Sequence, residues 1–328
     1  MNIVFEAVSK RLGGTLVLHD FSLSIASGEK IALMGLSGSG KTTALKLING
    51  LLQADTGQIT LEGRPLASYP IYRLRHQIGY VIQQVGLFPH FTVRQNIAVV
   101  PRLAGWRKPQ IDARLAELLG LLRLDEALLD RFPHQLSGGQ AQRVGIARAL
   151  AVDPPVLLLD EPFAALDPIY KAEIWAEFLE LPALRHKTIL LVSHDATESA
   201  TFAQKIAFLH EGKLVQIDSP LNILLQPKHP TIERFFNPHR LEVAMHFVKL
   251  ANLVPWLLPT EAAPSTQKLV FGGEHTFAQA WRKAEESRAT LLCIEHLPNA
   301  QPFFTTTTQL WNAFEAYWQS QKVAFATH

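Results

Sequence analysis

The sequence predicts an α/β core on a largely parallel sheet covered on both faces, with a helical insertion inside it and a small α+β unit behind it. Three observations carry this expectation. Short apolar runs, Lys30 to Met34, Val156 to Leu159 and Thr188 to Val192, alternate with helical patterns, as strands buried on both faces do. Between Thr92 and Pro133 the strand signals stop, and the stretch IDARLAELLGLLRL repeats apolar residues at three- and four-residue spacing. Beyond about His239 the composition changes, and Trp256, Trp281, Trp311 and Trp318 all fall in this last part.

A chain of 328 residues has room for one large core and a smaller appended domain. Pro220, Pro227 and Pro230 interrupt the pattern after a strand at Lys213 to Ile217, and the expected boundary lies between residues 240 and 241. The 31 Lys and Arg nearly balance the 29 Asp and Glu, and a net charge of +2 gives no nucleic-acid surface, so no nucleic-acid partner is expected. The single cysteine, Cys293, can form no internal disulfide, and MNIVFEAVSKRLGG lacks the apolar core of a secretory signal, so a cytosolic protein is expected. No run approaches the ~20 apolar residues that span a bilayer. The nearest, Val248 to Pro259, is broken by Lys249, Asn252 and Pro255, so membrane contact is expected to go through a partner.

The first strand of the core, KIALM, runs into GLSGSGKTT and then a helical pattern, which fits G-x-x-x-x-G-K-[ST] from Gly35 to Thr42. In such a loop the backbone N–H groups of Gly35, Ser37, Gly38, Ser39 and Gly40 wrap phosphate oxygens. Lys41 reaches the β- and γ-phosphates, Thr42 ligates Mg²⁺, Thr43 completes the motif, and the helix dipole adds to the attraction. A nucleoside triphosphate is the expected ligand; the motif does not say what its hydrolysis drives.

The strand VLLLDEP ends in two acids, at the edge where ligands bind in open α/β sheets. Residues 160 and 161 point to opposite sides of an extended backbone. Asp160 is therefore assigned to Mg²⁺, through water, and Glu161 to orienting or deprotonating the attacking water. The strand in LLVSHD delivers His194 to the same edge, as a γ-phosphate sensor bridging to the base. Gln83 follows Gly79 to Ile82 in the same manner, with an amide placed for Mg²⁺ and the attacking water. One motif is left over. In HQLSGGQAQRVGIARAL, Gly138 and Gly139 open a helix about a hundred residues after the phosphate loop, with no phosphate of their own.

Five elements in one order, GLSGSGKTT, VIQQ, LSGGQ, LLLDEPFAALD and SHD, resemble the ATP-binding subunit of ABC transporters over roughly residues 1 to 235. The resemblance implies a P-loop NTPase core with a helical subdomain at about 92–150, ATP and Mg²⁺ as ligands, and ATP hydrolysis. It implies a homodimer in which two subunits face head to tail. Ser137, Gly138, Gly139 and Gln140 of one chain then cap the γ-phosphate held by the loop of the other. An anion at such a helix end gains up to ~2 kcal/mol, available only once two subunits close. Ala165, Leu166 and Asp167 match the loop that crosses the family's dimer interface. The partners implied are transmembrane permease subunits with a separate or fused solute-binding protein, and the location a peripheral one on the cytoplasmic face of the plasma membrane.

The segment Ile78 to Trp106 looks like the subgroup that imports glycine betaine, choline, carnitine and other osmoprotectants. Within it, QVGLFPHF lies where the family docks the membrane subunit. Importers of methionine, sulfonate or phosphonate remain open, because other subunits recognise the solute. A soluble ABC ATPase acting on DNA or ribosomes is disfavoured, because neither long coiled coils nor a second cassette is seen. A regulatory subunit without catalysis is disfavoured because Lys41, Thr42, Asp160, Glu161 and His194 are all present. The sequence departs from the family at Leu12, where an aromatic residue usually stacks on adenine; that stack is worth about 1–3 kcal/mol. Val17 is counted with Leu12 among the nucleotide-binding positions. In the tail, Phe277, Ala280, Trp281 and Ala284 share one helical face and Thr290 to Ile294 reads as a strand. This resembles half of a CBS module without its usual Gly and Asp, a degenerate unit whose preferred role is packing or dimerisation over ligand or ionic-strength sensing.

Overall fold

The computed structural model of the chain describes residues 1–83, 86–164, 166, 168–257, 268–287, 289, 291–295 and 303–326. It divides into two compact units, Met1–Ser219 and Pro220–His328.

The strands of the first unit are β1 (Ile3–Leu12), β2 (Thr15–Ile25), β3 (Lys30–Gly35), β4 (Thr56–Leu61), β5 (Arg64–Pro65), β6 (Ile78–Val81), β7 (Val156–Asp160), β8 (Thr188–Val192), β9 (Lys205–His210) and β10 (Lys213–Asp218). Its helices are α1 (Lys41–Ile48), α2 (Ile71–His76), α3 (Val93–Leu103), α4 (Lys108–Leu121), α5 (Gly138–Leu150), α6 (Pro168–Leu179) and α7 (Ala196–Phe202). Six strands form a sheet in the order β10-β9-β3-β8-β7-β6, parallel except for the β9–β10 pair. Strands β7 and β8 are buried along their whole length, which is why they read as unbroken apolar runs. Gly79 lets β6 lie close to its neighbours: a Cβ there would sit 2.5 Å from the Ala149 carbonyl oxygen.

The same unit holds an antiparallel sheet in the order β2-β1-β4-β5, which the sequence reading did not anticipate. The β1–β2 pairing changes register between Phe5 and Val8 and again at Lys10, so the two-residue alternation that marks an antiparallel strand is broken. Phe5 and Phe21 meet edge to face at 5.1 Å and join this sheet to the core containing Leu45, Ile48 and Leu158. The helical segment is α3, α4 and α5, with α3 packed on the other two. Thr92 and Gln95 form a reciprocal capping box at the start of α3.

The second unit begins with α8 (Pro220–Leu225), α9 (Pro230–Phe236), α10 (Arg240–Met245) and α11 (Leu250–Leu253). It continues with β11 (Lys268–Gly272), α12 (Phe277–Ser287), β12 (Leu291–Glu295), β13 (Phe303–Thr306) and α13 (Thr307–Ala326). The units divide upstream of the boundary expected at 240/241. The reason is tertiary: α8 packs on α9 and α10, and the Arg240 guanidinium donates to the Leu224 carbonyl at 2.8 Å. Strand β11 pairs parallel with β12, and β12 antiparallel with β13. The expected face of α12 is inward, with Phe277, Ala280 and Ala284 buried and Phe277 stacked on Phe314 at 4.5 Å. Thr290, the expected first residue of β12, lies outside the described residues. Among the described residues no helix is long and apolar enough to cross a membrane.

Candidate functional site

The strand order places four chain segments side by side. Strands β3, β8, β7 and β6 are neighbours, and their carboxyl ends run into the Gly35 loop, His194, the Asp160–Glu161 pair and Gln83. Around them lies a cleft of about 450 Å³ lined by Val17, Gly35, Ser37, Gly38, Ser39, Gly40, Lys41, Thr42, Thr43, Gln83, Glu161 and His194.

The loop needs glycine at its junction with α1. Gly40 has φ +103°, and a Cβ there would come within 2.7 Å of Leu18 Cδ2 and 2.8 Å of the Val17 carbonyl oxygen. Gly40 is also the N-cap of α1, and no side chain caps that end, which leaves its first N–H groups without a side-chain partner beside the cleft. The Lys41 ammonium lies back over the loop, donating to the carbonyls of Gly35 at 2.8 Å and Leu36 at 2.9 Å. Burial lowers its pKa, opposed by Glu161 and Asp160.

Asp160 is buried and accepts hydrogen bonds from Thr42 Oγ1 at 3.1 Å and from the Tyr80 hydroxyl at 3.2 Å. Burial raises its pKa, against the two hydrogen bonds and with the negative charge of Glu161. Tyr80 faces Leu158 across the β6–β7 ladder, so its ring runs alongside the last turn of pleat before Asp160. The phenol's pKa is raised, first by burial and then by Asp160.

Glu161 turns the other way. Its φ is +47°, a left-handed conformation that a non-glycine residue rarely takes, and its N–H donates to the Val192 carbonyl at 2.8 Å. Gln83 Nε2 donates to Glu161 Oε2 at 3.0 Å, and His194 Nδ1 lies 3.4 Å from the same oxygen. Gln83, Glu161 and His194 thus meet at one carboxylate, on the cleft side of the sheet edge.

A further cluster, not foreseen, surrounds the histidine loop. Asp195 caps α7 by accepting from the N–H groups of Thr197 and Glu198. Lys171 on α6 lies 3.1 Å from Asp195 and 2.7 Å from Glu198. Burial alone would lower the lysine's pKa; the bonds to Glu198 and then Asp195 outweigh it, and the pKa is raised.

Other expected positions lie elsewhere. Ser137, the N-cap of α5, exchanges hydrogen bonds with Gln140 in a capping box, and Ser137 and Gly138 are exposed. None of Ser137, Gly138, Gly139 and Gln140 lines the cleft of its own chain. Gly139 has its back to α6, where a Cβ would meet Ile174 Cδ1 at 2.9 Å. Leu12, 40 % exposed at the end of β1, is not on the cleft wall either. Asp167 and Ala165 lie outside the described residues. Of QVGLFPHF, Gln84 and Val85 lie outside them too, while Phe88 and Phe91 are 46 % and 38 % exposed and in contact at 5.2 Å.

Comparison with known proteins gives consistent findings. Residues 18–164 match the ABC transporter family model. The chain is 43 % identical to the glycine betaine uptake system ATP-binding protein of Escherichia coli, over 80 % of its own length and 84 % of that protein's. It is 39 % identical to the choline transport ATP-binding protein of Bacillus subtilis, over 89 % of its own length and 75 % of that protein's. It is similar in fold to a dimeric ATP-binding cassette solved in a post-hydrolysis state with ADP and Pi. That similarity has a TM-score of 0.59 and 32 % identity, over 66 % of this chain and 98 % of that one.

Proposed function

The chain belongs to the ABC transporter ATP-binding family, whose members energise transport by ATP hydrolysis, and from that premise we propose how its own residues serve an importer of osmoprotectants or related quaternary amines. The observation that carries the residue assignments is the meeting of the Gly35–Thr43 loop, Glu161, Gln83 and His194 in one cleft at the ends of four adjacent strands, with the buried Asp160 hydrogen-bonded to Thr42 of that loop.

ATP lies with its phosphates in the loop, where backbone N–H groups and the buried Lys41 ammonium neutralise them. Thr42, Asp160 and the Gln83 amide are the residues that would hold Mg²⁺. They fit that ion: all three offer hard oxygen donors, and Mg²⁺ takes one or two carboxylates together with waters and phosphate oxygens. No cluster of three or more His, Cys, Asp or Glu arranged for a metal exists among the described residues, so an all-protein cage is not the alternative there. When bound, the ion would neutralise charge on the β- and γ-phosphates. Glu161 accepts the proton of the attacking water, or orients that water, while Gln83 and His194 hold its carboxylate, Gln83 facing the attacking water and His194 the γ-phosphate.

Two copies close head to tail, and Ser137, Gly138, Gly139 and Gln140 of each cap the γ-phosphate bound by the other. The exposure of Ser137 and Gly138 supports this arrangement, as does their absence from their own chain's cleft. Ala165, Leu166 and Asp167 lie in the interface. The exposed Phe88–Phe91 pair is the docking surface for permease subunits, which work with a separate or fused solute-binding protein, and the chain is peripheral on the cytoplasmic face. Every residue assigned to catalysis or nucleotide binding lies within the expected 1–240 segment, with the helical subdomain at about 92–150. Residues 241–328 form an accessory domain, a degenerate CBS-like unit used for packing or dimerisation.

Reconstitution with the permease and binding subunits of its operon tests the reading. ATP-dependent uptake of labelled glycine betaine, choline or carnitine is expected, with ATPase activity stimulated by the permease. Uptake of methionine, a sulfonate or a phosphonate in their place would keep the mechanism and replace the solute class. ATPase activity indifferent to the permease would remove the transport role.

A further inference from the structure

We propose that Lys171 is a positioning residue for hydrolysis, which fixes the loop carrying His194 by clamping the carboxylates of Asp195 and Glu198 to α6. The inference rests on the proposed role of His194.

The histidine ring has little to hold it directly. Its side chain is 60 % exposed, with Nδ1 3.4 Å from the Glu161 carboxylate. Its position is therefore set by the backbone on either side, and both neighbours are tied down. Asp195 N–H donates to Ser193 Oγ at 3.0 Å, so the residues flanking His194 are joined across it. Ser193 Oγ in turn donates to Glu198 Oε2 at 3.0 Å. Asp195 Oδ1 accepts from the N–H groups of Thr197 and Glu198, at 3.0 Å each, which fixes the loop to the first turn of α7.

Every strand of this net ends on one of two acids, and both acids end on Lys171. The ammonium lies 3.1 Å from Asp195 Oδ2 and 2.7 Å from Glu198 Oε1. The side chains are 19 % exposed for Lys171, 33 % for Asp195 and only 11 % for Glu198. Removing the cation leaves two carboxylates facing each other in a largely dry setting. They must then take a proton, admit water or move apart, and the last two change the path of residues 193–195. A shift of about 1 Å at a reacting group costs up to ~10²-fold in rate even when its cause is remote. Lys171 also stands in the first turn of the helix that follows the Ala165–Asp167 loop, so the clamp joins two segments of the chain that the proposed mechanism uses separately.

The experiment uses the full-length chain with Lys171→Met, Lys171→Arg, His194→Ala and the double variant Lys171→Met/His194→Ala. ATPase kcat and KM, the dissociation constant for a fluorescent ATP analogue, and the thermal midpoint are measured on each. Lys171→Met is expected to lower kcat by about tenfold to a hundredfold while KM and nucleotide affinity stay within about twofold. Lys171→Arg is expected to restore most of the rate. The double variant is expected to be no slower than His194→Ala, because both substitutions remove one function. Wild-type kcat in Lys171→Met, additive losses in the double variant, or a loss that Arg does not rescue would each overturn the inference. Wild-type turnover in His194→Ala would instead remove the role of His194 on which it stands. Should Lys171→Met fail to fold, Asp195→Asn keeps the cap acceptor and removes one anion of the clamp. It is expected to lower kcat in the same direction at unchanged KM, and wild-type kcat in that variant would overturn the inference as well.

Discussion

Glu161 is a carboxylate aimed by a strained backbone. Its neighbour Asp160 continues the strand and points to Thr42 and Tyr80, while the positive φ at 161 swings the next side chain to Gln83 and His194. Left-handed geometry costs a non-glycine residue about 1–3 kcal/mol, and the strand pairing that surrounds it supplies the constraint. Glu161→Gln keeps the shape and the hydrogen-bonding reach and removes the proposed base. Hydrolysis, followed as phosphate release, is expected to fall by about 10²- to 10⁴-fold while ATP binding persists. If adenine lies against residue 12, as the resemblance implies, Leu12→Tyr supplies a stacking surface worth about 1–3 kcal/mol, and calorimetry is expected to show ATP binding about fivefold to a hundredfold tighter. An unchanged dissociation constant would place adenine away from residue 12.

At the scale of elements, the phosphate loop and the histidine loop depend on what stands behind them. Gly40→Ala touches no phosphate, yet its Cβ would press on the Val17 carbonyl and the Leu18 side chain at a φ of +103°. The thermal midpoint without nucleotide is expected to fall, and the rise in midpoint that ATP produces is expected to vanish, because the loop no longer closes around phosphate. The Lys171 clamp carries a pH signature of its own. Its folded pKa is raised, so its contribution to stability is complete below the pKa of an unfolded lysine and is lost as pH rises through the folded value. Thermal midpoints recorded up through the lysine range should therefore fall more steeply for wild type than for Lys171→Met; parallel curves would show that the ion pairs do not bear on stability.

At the scale of the whole molecule, one chain holds a phosphate loop and a signature loop that do not meet. In the proposed mechanism two copies supply the missing halves. With Glu161→Gln and MgATP, size-exclusion chromatography is expected to show a stable dimer that ADP does not support, because the γ-phosphate is the group shared between loop and cap. Adding Ser137→Arg to that variant is expected to abolish the dimer while each monomer still binds ATP, since a bulky cation then occupies the cap. A dimer that persists with Ser137→Arg would mean that the chains associate through another surface.

The sequence alone determined whatever is encoded in consecutive residues. GLSGSGKTT between a strand and a helix, the acids closing VLLLD, and the histidine after TILLV are local patterns, and buried parallel strands announce themselves as apolar runs because both faces are covered. Tertiary structure decided what depends on distant residues meeting. The antiparallel sheet of residues 3–65 was not legible because bulges break the alternation that would reveal it. The division at Ser219 and Pro220 follows from α8 packing on α10; Pro220 marks the end of a strand in the sequence, but which unit the following helices join depends on that packing. Tyr80 reaches Asp160 across 80 positions of sequence and Lys171 reaches Asp195 across 24. Those pairs exist because the strand order β3-β8-β7-β6 and the packing of α6 beside α7 bring separate segments together, and a side chain's partner across such a distance leaves no mark in the spacing of residues around it.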